Sequence, residues 1–293
     1  MAEEIPRLPD PNRGVTASAG AAQIASQPSG TAGKERVLFV VFACAAALLG
    51  AVVFILAPAG FWSKLSALGY SVCHQIPERS FFVHTHQFPL CARCTGMYLG
   101  ALLSLGWHFL RGRRNQFPPL ALLLTLSLIF LAFALDGLNS LRQVFLPMPA
   151  LYHTTNLIRL ITGFGAGICI GTVLGTVFNQ AVWSNPQPGA ALDTLPRLLA
   201  LLGAAALLGW AVYSGPDWLK APLAVLSGAA VPVVLAFAYT VLLVMLLGRA
   251  NTYQSWQQLR LPLALGLCAA LLQILIMSLL RLWLTGSWAA IPL

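Results

Sequence analysis

The residues best suited to chemistry are concentrated in the Cys/His segment, as we call residues 73–94. The segment holds half of the cysteines and most of the histidines of the chain: Cys73, His74, His84, His86, Cys91 and Cys94. Two cysteines separated by two residues can hold one metal ion, and a tetrahedral site takes two more ligands from elsewhere. Cys73 and a histidine, with His74 as the first choice, would complete a Cys3His set. The segment therefore predicts a site for zinc or another transition metal.

Two other uses of the same cysteines are compatible with the sequence. Cys91 and Cys94 could cycle between dithiol and disulfide, because a helix that starts here and the charge of Arg93 both favour a thiolate. The protein would then be a membrane thiol–disulfide oxidoreductase whose Cys91-x-x-Cys94 pair exchanges with Cys73. Alternatively, Cys73 could form a structural disulfide with Cys91 or with Cys94, which leaves one odd cysteine. The spacing alone does not choose among the three uses.

A second group of polar residues flanks two apolar stretches further along the chain. Asp136 ends one stretch, and Asn156 and Arg159 open the next. Ionisable groups at the edge of a bilayer usually face a partner or a wet cavity. We therefore expect Asp136 to pair with Arg159, and the three side chains to line a polar pocket beside the cysteines. Arg281, near the end of the last apolar stretch, is expected to extend its charge toward water.

These polar residues are the candidates for any catalytic role, although the sequence names no reaction and does not decide whether the chain is an enzyme. Within the pocket we include the cysteines, His74 and the three residues just described. The predicted members are Cys73, His74, Cys91, Cys94, Asp136, Asn156 and Arg159.

The composition decides what kind of protein must hold these residues. Of the 293 residues, 58% are hydrophobic and only 9% are charged, whereas charged residues are about 25% of an ordinary soluble chain. That is too little polar surface for a water-soluble body, so the chain is an integral membrane protein with the lipid bilayer as its partner. The net charge of +9 is explained by basic cytoplasmic loops. No basic stripe interleaved with aromatic residues is present, which excludes nucleic acid as a partner.

Apolar stretches of about 20 residues can cross a bilayer as helices, and the chain contains about seven of them. The predicted fold is therefore all-α, a polytopic helical membrane bundle. The predicted spans are residues 37–59, 95–110, 118–135, 157–178, 196–213, 221–248 and 260–285. Residues 1–36, rich in Ala, Gly, Ser and Pro, are expected to form a disordered cytoplasmic tail, and residues 37–293 the membrane domain.

Basic residues near the span ends indicate the orientation of the bundle. Eight lie on one side and five on the other, and the cluster at Arg111–Arg114 is the firmest marker. Because cytoplasmic loops collect Lys and Arg, we expect a multi-pass cell-membrane protein with a cytoplasmic N-terminus. The Cys/His segment would then lie on the outer side.

Glycines at helical spacing predict one contact between two of these helices. They recur at every fourth position from Gly163 to Gly175, which places them on one stripe of a helix. The second span offers a shorter stripe, Gly96 and Gly100. Since small residues let two backbones approach closely, we expect the two helices to touch along these stripes.

The motifs around the cysteines resemble the signature of a known family. Residues 73–81 read CHQIPERSF and residues 89–98 read PLCARCTGMY, and they are followed by Asp136-Gly137 and by NLIRLITG at 156–163. This pattern is similar to that of a prokaryotic family of predicted membrane proteins, the domain of unknown function 2085. The resemblance implies a multi-span membrane protein in which the cysteines and the later polar residues form one unit. It implies no activity.

The leading functional hypothesis is a metal-binding membrane protein, with zinc as the metal and a polar pocket beside it. Its ligands would be Cys73, His74, Cys91 and Cys94. The thiol–disulfide oxidoreductase is the alternative. A third class, a transporter or a structural subunit of a membrane complex, ranks lower because no internal repeat is visible. The sequence leaves a homo-oligomer or a larger membrane complex open.

Overall fold

The computed structural model describes residues 29–145 and 151–288, and these form an all-α bundle with two small two-stranded sheets. In chain order the elements are α1 (Ser29–Leu56), α2 (Phe61–Tyr70), a 3-10 turn (Pro77–Arg79), β1 (Ser80–Val83), β2 (His86–Cys91), α3 (Ala92–Leu110), β3 (Arg114–Gln116), α4 (Leu120–Phe145), α5 (Asn156–Val182), β4 (Gln187–Ala190), α6 (Leu195–Ser214), α7 (Asp217–Leu246) and α8 (Arg260–Thr285).

The predicted helical membrane bundle is confirmed, and the count of about seven spans is close. Among the described residues, six helices are long and apolar enough to cross a membrane: α1, α4, α5, α6, α7 and α8. The seventh expected span corresponds to α3, which has 19 residues. It is less apolar because it carries Arg93 and His108 as well as several glycines.

Contacts between distant segments define two ends of the bundle. At one end, which we call the cysteine end, His84 contacts Asp217 and Tyr70 bonds to Ser287. At the opposite end, β3 pairs with β4, and the carbonyl of Arg113 accepts a hydrogen bond from the backbone N–H of Gln187. Helix α3 begins at the cysteine end and is followed directly by β3, so it runs the length of the bundle like its longer neighbours.

The expected glycine contact between α3 and α5 is confirmed. The two helices run parallel, and a Cβ atom added at Gly100 would lie 2.6 Å from the carbonyl oxygen of Phe164. Cβ atoms at Gly163 and Gly167 would overlap the carbonyl oxygens of Arg93 and Met97. Such backbone contact is possible only where side chains are absent. It fixes the first turn of α3 against the first turns of α5.

The N-terminal boundary differs from the sequence expectation. Helix α1 begins at Ser29, so the last eight residues assigned to the tail, 29–36, are its first two turns. Residues 1–28 of the predicted tail lie outside the described residues.

Candidate metal centre

Three thiols converge at the cysteine end of the bundle. The Sγ atoms of Cys73, Cys91 and Cys94 all lie within 4.8 Å of one another. In a tetrahedral zinc site with Zn–S bonds of about 2.3 Å, neighbouring sulfurs are about 3.8 Å apart. The three sulfurs are therefore close enough to bind one ion together, and we call them the cysteine cluster.

Local structure brings the three cysteines together from two parts of the chain. Cys73 follows the turn that ends α2, and its backbone N–H donates to the carbonyl of Gly69 at 2.9 Å. Gly69 has no side chain, and a Cβ there would overlap the carbonyl of Pro89, so α2 can lie directly on β2. The hairpin of β1 and β2 then returns the chain to Cys91, which is the N-cap of α3. Cys94 sits in the first turn of that helix.

Two glutamines hold this arrangement in place. Gln75 adopts the left-handed backbone conformation (φ 57°), and its buried side chain donates to the carbonyls of Ser66 and Pro89, both at 2.7 Å. Gln87 donates to the carbonyl of Gln75 at 2.7 Å and to Ser80 Oγ at 2.9 Å. The bonds link α2, the loop after it and the hairpin. Sequence analysis did not single out either glutamine, since most of their partners are backbone carbonyls, which carry no sequence signal.

The surroundings of the sulfurs favour a single negative charge, on Cys91. The backbone N–H groups of Gln75 and Cys91 donate to Cys73 Sγ at 3.4 and 3.2 Å. Hydrogen bonds from the thiols of Cys73 and Cys94 hold the pKa of Cys91 well below its usual range. The hydrogen bond to Cys91, together with burial, raises the pKa of Cys73 to about 12. The Cys91 thiolate is thus stabilised by hydrogen bonds from the other two thiols. A bound metal cation would replace the protons of those hydrogen bonds.

His74 does not join the cluster, which corrects the predicted Cys3His set. Its side chain is exposed, and among the described residues the converging ligand atoms belong to cysteines alone. The other histidines of the segment are engaged elsewhere: His84 Nδ1 lies 2.8 Å from Asp217, and His86 stacks on the ring of Trp62. The reason is geometric. Cys73 is buried in the bundle, and the adjacent residue of the loop lies on its outer surface.

The expected pairing of Asp136 with Arg159 is wrong, because Arg93 takes the carboxylate. Arg93, which lies between two of the cysteines, forms an ion pair with Asp136 and donates to Ser140 Oγ at 2.9 Å. Asp136 is buried and also accepts a hydrogen bond from Tyr152 Oη at 2.9 Å. The close α3–α5 contact places the first turn of α3 where its arginine reaches α4.

Asn156 and Arg159 open α5, whose first turns pack against the turn of α3 that carries Cys94. Arg159 is buried and donates from Nη1 to Asn156 Oδ1 at 2.9 Å. Asn156 in turn donates to the carbonyl of Glu78 at 3.1 Å, which ties the start of α5 to the 3-10 turn. Of the predicted members of the pocket, the structure thus brings the three cysteines together, whereas His74 is exposed. Asp136 is joined to α3 through Arg93, and Asn156 to Arg159. A pocket shared by all of them stays a prediction.

Arg281 binds the loop around Cys73, a contact that the sequence did not predict. From α8 it donates to the carbonyls of Tyr70 (2.7 Å), Cys73 and His74 (3.2 Å), and its guanidinium lies 3.8 Å from the centre of the Tyr70 ring. It thereby fixes the loop that carries Cys73. Its position near the end of a span gave no sign of this, because the carbonyls that it binds are far away in the chain.

The fold and the site together define a class: a multi-pass helical membrane protein with a cluster of three thiols at one end of the bundle. A family model described as predicted membrane protein, domain of unknown function 2085, matches residues 73–179. The chain belongs to this family. The match starts at Cys73 and spans α3, α4 and α5, so α1, α2 and the last three helices lie outside it.

Two archaeal relatives are similar to part of the chain. An uncharacterised protein of Methanocaldococcus jannaschii is 32% identical over 130 residues, which are 43% of this chain and 78% of the relative. An uncharacterised protein of Methanothermobacter thermautotrophicus is 36% identical over 97 residues, 33% of this chain and 78% of the relative. No solved structure matches the chain.

Proposed function

We propose that this protein is a metal-binding membrane protein that holds one zinc ion through Cys73, Cys91 and Cys94. The observation that carries the proposal is the convergence of the three sulfurs within 4.8 Å. Thiolates are soft ligands that suit zinc, copper(I) and iron–sulfur clusters. Zinc is the proposed metal because a tetrahedral sulfur-rich site is its common environment in proteins.

Three protein ligands leave one position of a tetrahedral ion open. Structural zinc sites are usually closed by four protein ligands, whereas sites that bind or activate another molecule keep a position free. With His74 on the surface, the geometry favours the second kind. The ion pair of Arg93 and Asp136 would fix the first turn of α3, and with it the direction of two of the sulfurs. Outer partners of this kind orient metal ligands in proteins generally.

Elemental analysis of the purified chain tests the proposal. The full-length protein, kept reduced in detergent micelles, is expected to hold about one equivalent of zinc, and Cys91→Ser or Cys94→Ser should remove most of it. Cys44→Ser and Cys268→Ser are matched controls, since these thiols lie outside the cluster. Substitution by cobalt(II) should give thiolate-to-metal charge-transfer absorption that the same two cluster variants weaken.

A chain with less than about half an equivalent of any transition metal, unchanged in the cluster variants, would overturn the proposal. Alkylation of the cysteines in graded redox buffers would then identify the oxidoreductase alternative. A couple of Cys91 and Cys94 that is reversibly oxidised in the physiological range would support it.

A further inference from the structure

Arg159 is the one arginine or lysine that is buried in the described part of the chain, with 8% of its surface exposed. It also lacks an ion pair there. The carboxylates that form ion pairs in these residues are engaged by other side chains: Arg93–Asp136, Arg197–Asp193, Arg249–Glu35 and His84–Asp217. Removing a charge from water is costly, so a buried arginine normally has a counter-charge. Within the described residues, no carboxylate forms an ion pair with Arg159.

The position of Arg159 in its helix makes a counter-charge more necessary. Arg159 lies in the first turns of α5, where the helix dipole is positive and disfavours a cation. A Cβ atom at Gly163, one turn further along α5, would overlap the carbonyl of Arg93, so the turn of α3 that carries Arg93 packs against this part of α5. The nearby Asp136 is committed to Arg93. An uncompensated cation is therefore unfavourable at this helix N-terminus, where the free backbone N–H groups can bind an anion.

Only one side of the Arg159 guanidinium is hydrogen-bonded. Nη1 is occupied by Asn156, whose own amide is anchored on the carbonyl of Glu78. Nε is buried and has no hydrogen-bond partner within residues 29–145 and 151–288. The edge formed by Nε and Nη2 has the geometry that binds a carboxylate or phosphate through two parallel hydrogen bonds. Asn156 thus orients a guanidinium whose bidentate edge is left for a ligand.

We propose that Arg159 is the recognition group of an oxyanion site at the start of α5, and that the ligand presents a carboxylate or a phosphate to it. Because the first turn of α3, which carries Cys94, packs against the first turns of α5, the bound anion lies beside the cysteine cluster and can supply the fourth ligand of the metal. The anion site rests on Arg159 itself. Only the bond from the anion to the metal rests on the proposed function.

Equilibrium dialysis with radiolabelled inorganic phosphate tests the site. The full-length chain in micelles should bind about one phosphate saturably, Arg159→Lys should weaken binding about tenfold because it keeps the charge but loses the fork, and Arg159→Gln should abolish it. Arg197→Gln is the control, because Arg197 forms a partly exposed ion pair with Asp193 at the opposite end of the bundle. Thermal unfolding of each variant shows whether it is folded. If Arg159→Gln does not fold, Arg159→Lys still tests the site.

The source of the anion is separated by competition. Displacement of phosphate by acetate in the buffer indicates a soluble carboxylate or phosphate ligand, and displacement by phosphatidylglycerol in the micelle indicates a lipid headgroup. Either outcome supports the site. Absence of phosphate binding at millimolar concentrations, or unchanged binding in folded Arg159→Gln, overturns it.

Zinc measured on the same samples distinguishes the two proposals. Phosphate binding that depends on Arg159 in protein without zinc would support the anion site while the metal proposal fails. A chain that holds zinc but binds phosphate equally well with and without Arg159 would leave the metal proposal standing alone.

Discussion

Arg93 stands between two cysteines in the sequence, yet its guanidinium turns away from them to the carboxylate of Asp136 on α4. Both side chains are largely buried, with 19% and 1% of their surfaces exposed. Single side chains of this kind fix the geometry of the site. Each one joins an element that carries a cysteine to an element that carries none. Gln75 does the same for α2 and β2.

The buried pair should matter far more than a surface pair of the same chemistry. Asp136→Asn leaves Arg93 without its counter-charge, and we expect a loss of about 3–5 kcal/mol in the free energy of unfolding. Asp193→Asn is the matched control, because its i,i+4 pair with Arg197 is partly exposed and such pairs contribute about 0.5 kcal/mol or less. Thermal unfolding in micelles measures both. Equal losses would mean that the buried pair has no special role.

Zinc affinity should rise with pH if thiolates are the ligands. Cys73, with its pKa raised to about 12, is a neutral thiol at neutral pH and must release its proton when zinc binds. This proton alone raises the apparent affinity about tenfold for each pH unit below that pKa. Competition with a chelator of known proton affinity, at pH 6, 7 and 8, measures the slope. A flat profile would argue against ligation by Cys73.

Among the elements, the parallel pair of α3 and α5 forms the frame of the site. Its glycines, Gly96 and Gly100 on α3 and Gly163, Gly167 and Gly171 on α5, allow backbone contact. This contact places Cys94 and Arg93 next to the start of α5. Helix α8 contributes from the other side, since Arg281 holds the carbonyls of the loop around Cys73. Two elements that are distant in sequence therefore set the separation of the sulfurs.

Two glycines of α3 and α5 should respond to alanine in opposite directions. Gly167→Ala places a methyl group on the carbonyl of Met97, and separating the helices should cost about 1–3 kcal/mol and lower zinc content. Gly106 has nothing within 4 Å of its Cβ position, so Gly106→Ala should stabilise α3 by up to about 1 kcal/mol. Melting temperatures in micelles measure both effects. A Gly167→Ala variant as stable as the parent protein would contradict a close contact between α3 and α5.

Removal of Arg281 should weaken the metal site without touching a ligand. Arg281→Ala breaks hydrogen bonds from a charged donor, each worth about 1.5–3 kcal/mol, and frees the Cys73 loop. We expect faster loss of zinc to a chelator and partial rescue by Arg281→Lys. Arg249→Ala, which removes an exposed pair with Glu35 at the opposite end, serves as control. Identical zinc loss from both alanine variants would show that Arg281 does not position the cluster.

At the scale of the whole molecule, the contacts sort the chain into two ends that should face opposite sides of a membrane. The cysteine end gathers the hairpin, the starts of α3 and α5 and the end of α8, where Tyr70 packs against Trp288. The opposite end gathers Arg113 and Arg249, whose partners are Trp183 and Glu35. The basic residues that mark the predicted cytoplasmic side thus lie together, although the orientation in the cell stays a prediction.

Reporter fusions in a bacterial host would measure that orientation. Alkaline phosphatase is active only after export, so a fusion after Leu293 should be active, because α8 ends at the cysteine end, which we expect to face outward. A fusion after Asn115 should be inactive. The reverse pattern would place the cysteine cluster in the cytoplasm.

The sequence by itself determined the class of protein, the helices and the three sulfurs. Hydropathy, helical length and glycine spacing are properties of continuous segments, so they can be read along the chain, and predicted spans such as 260–285 agree with the structure. Only the tertiary structure decided which side chains meet. In the structure His74 lies on the surface, Asp136 forms its ion pair with Arg93, and Arg281 binds the Cys73 loop. The physical reason is that an ion pair or a ligand set depends on distances between helices, and those are fixed by packing that no single segment encodes.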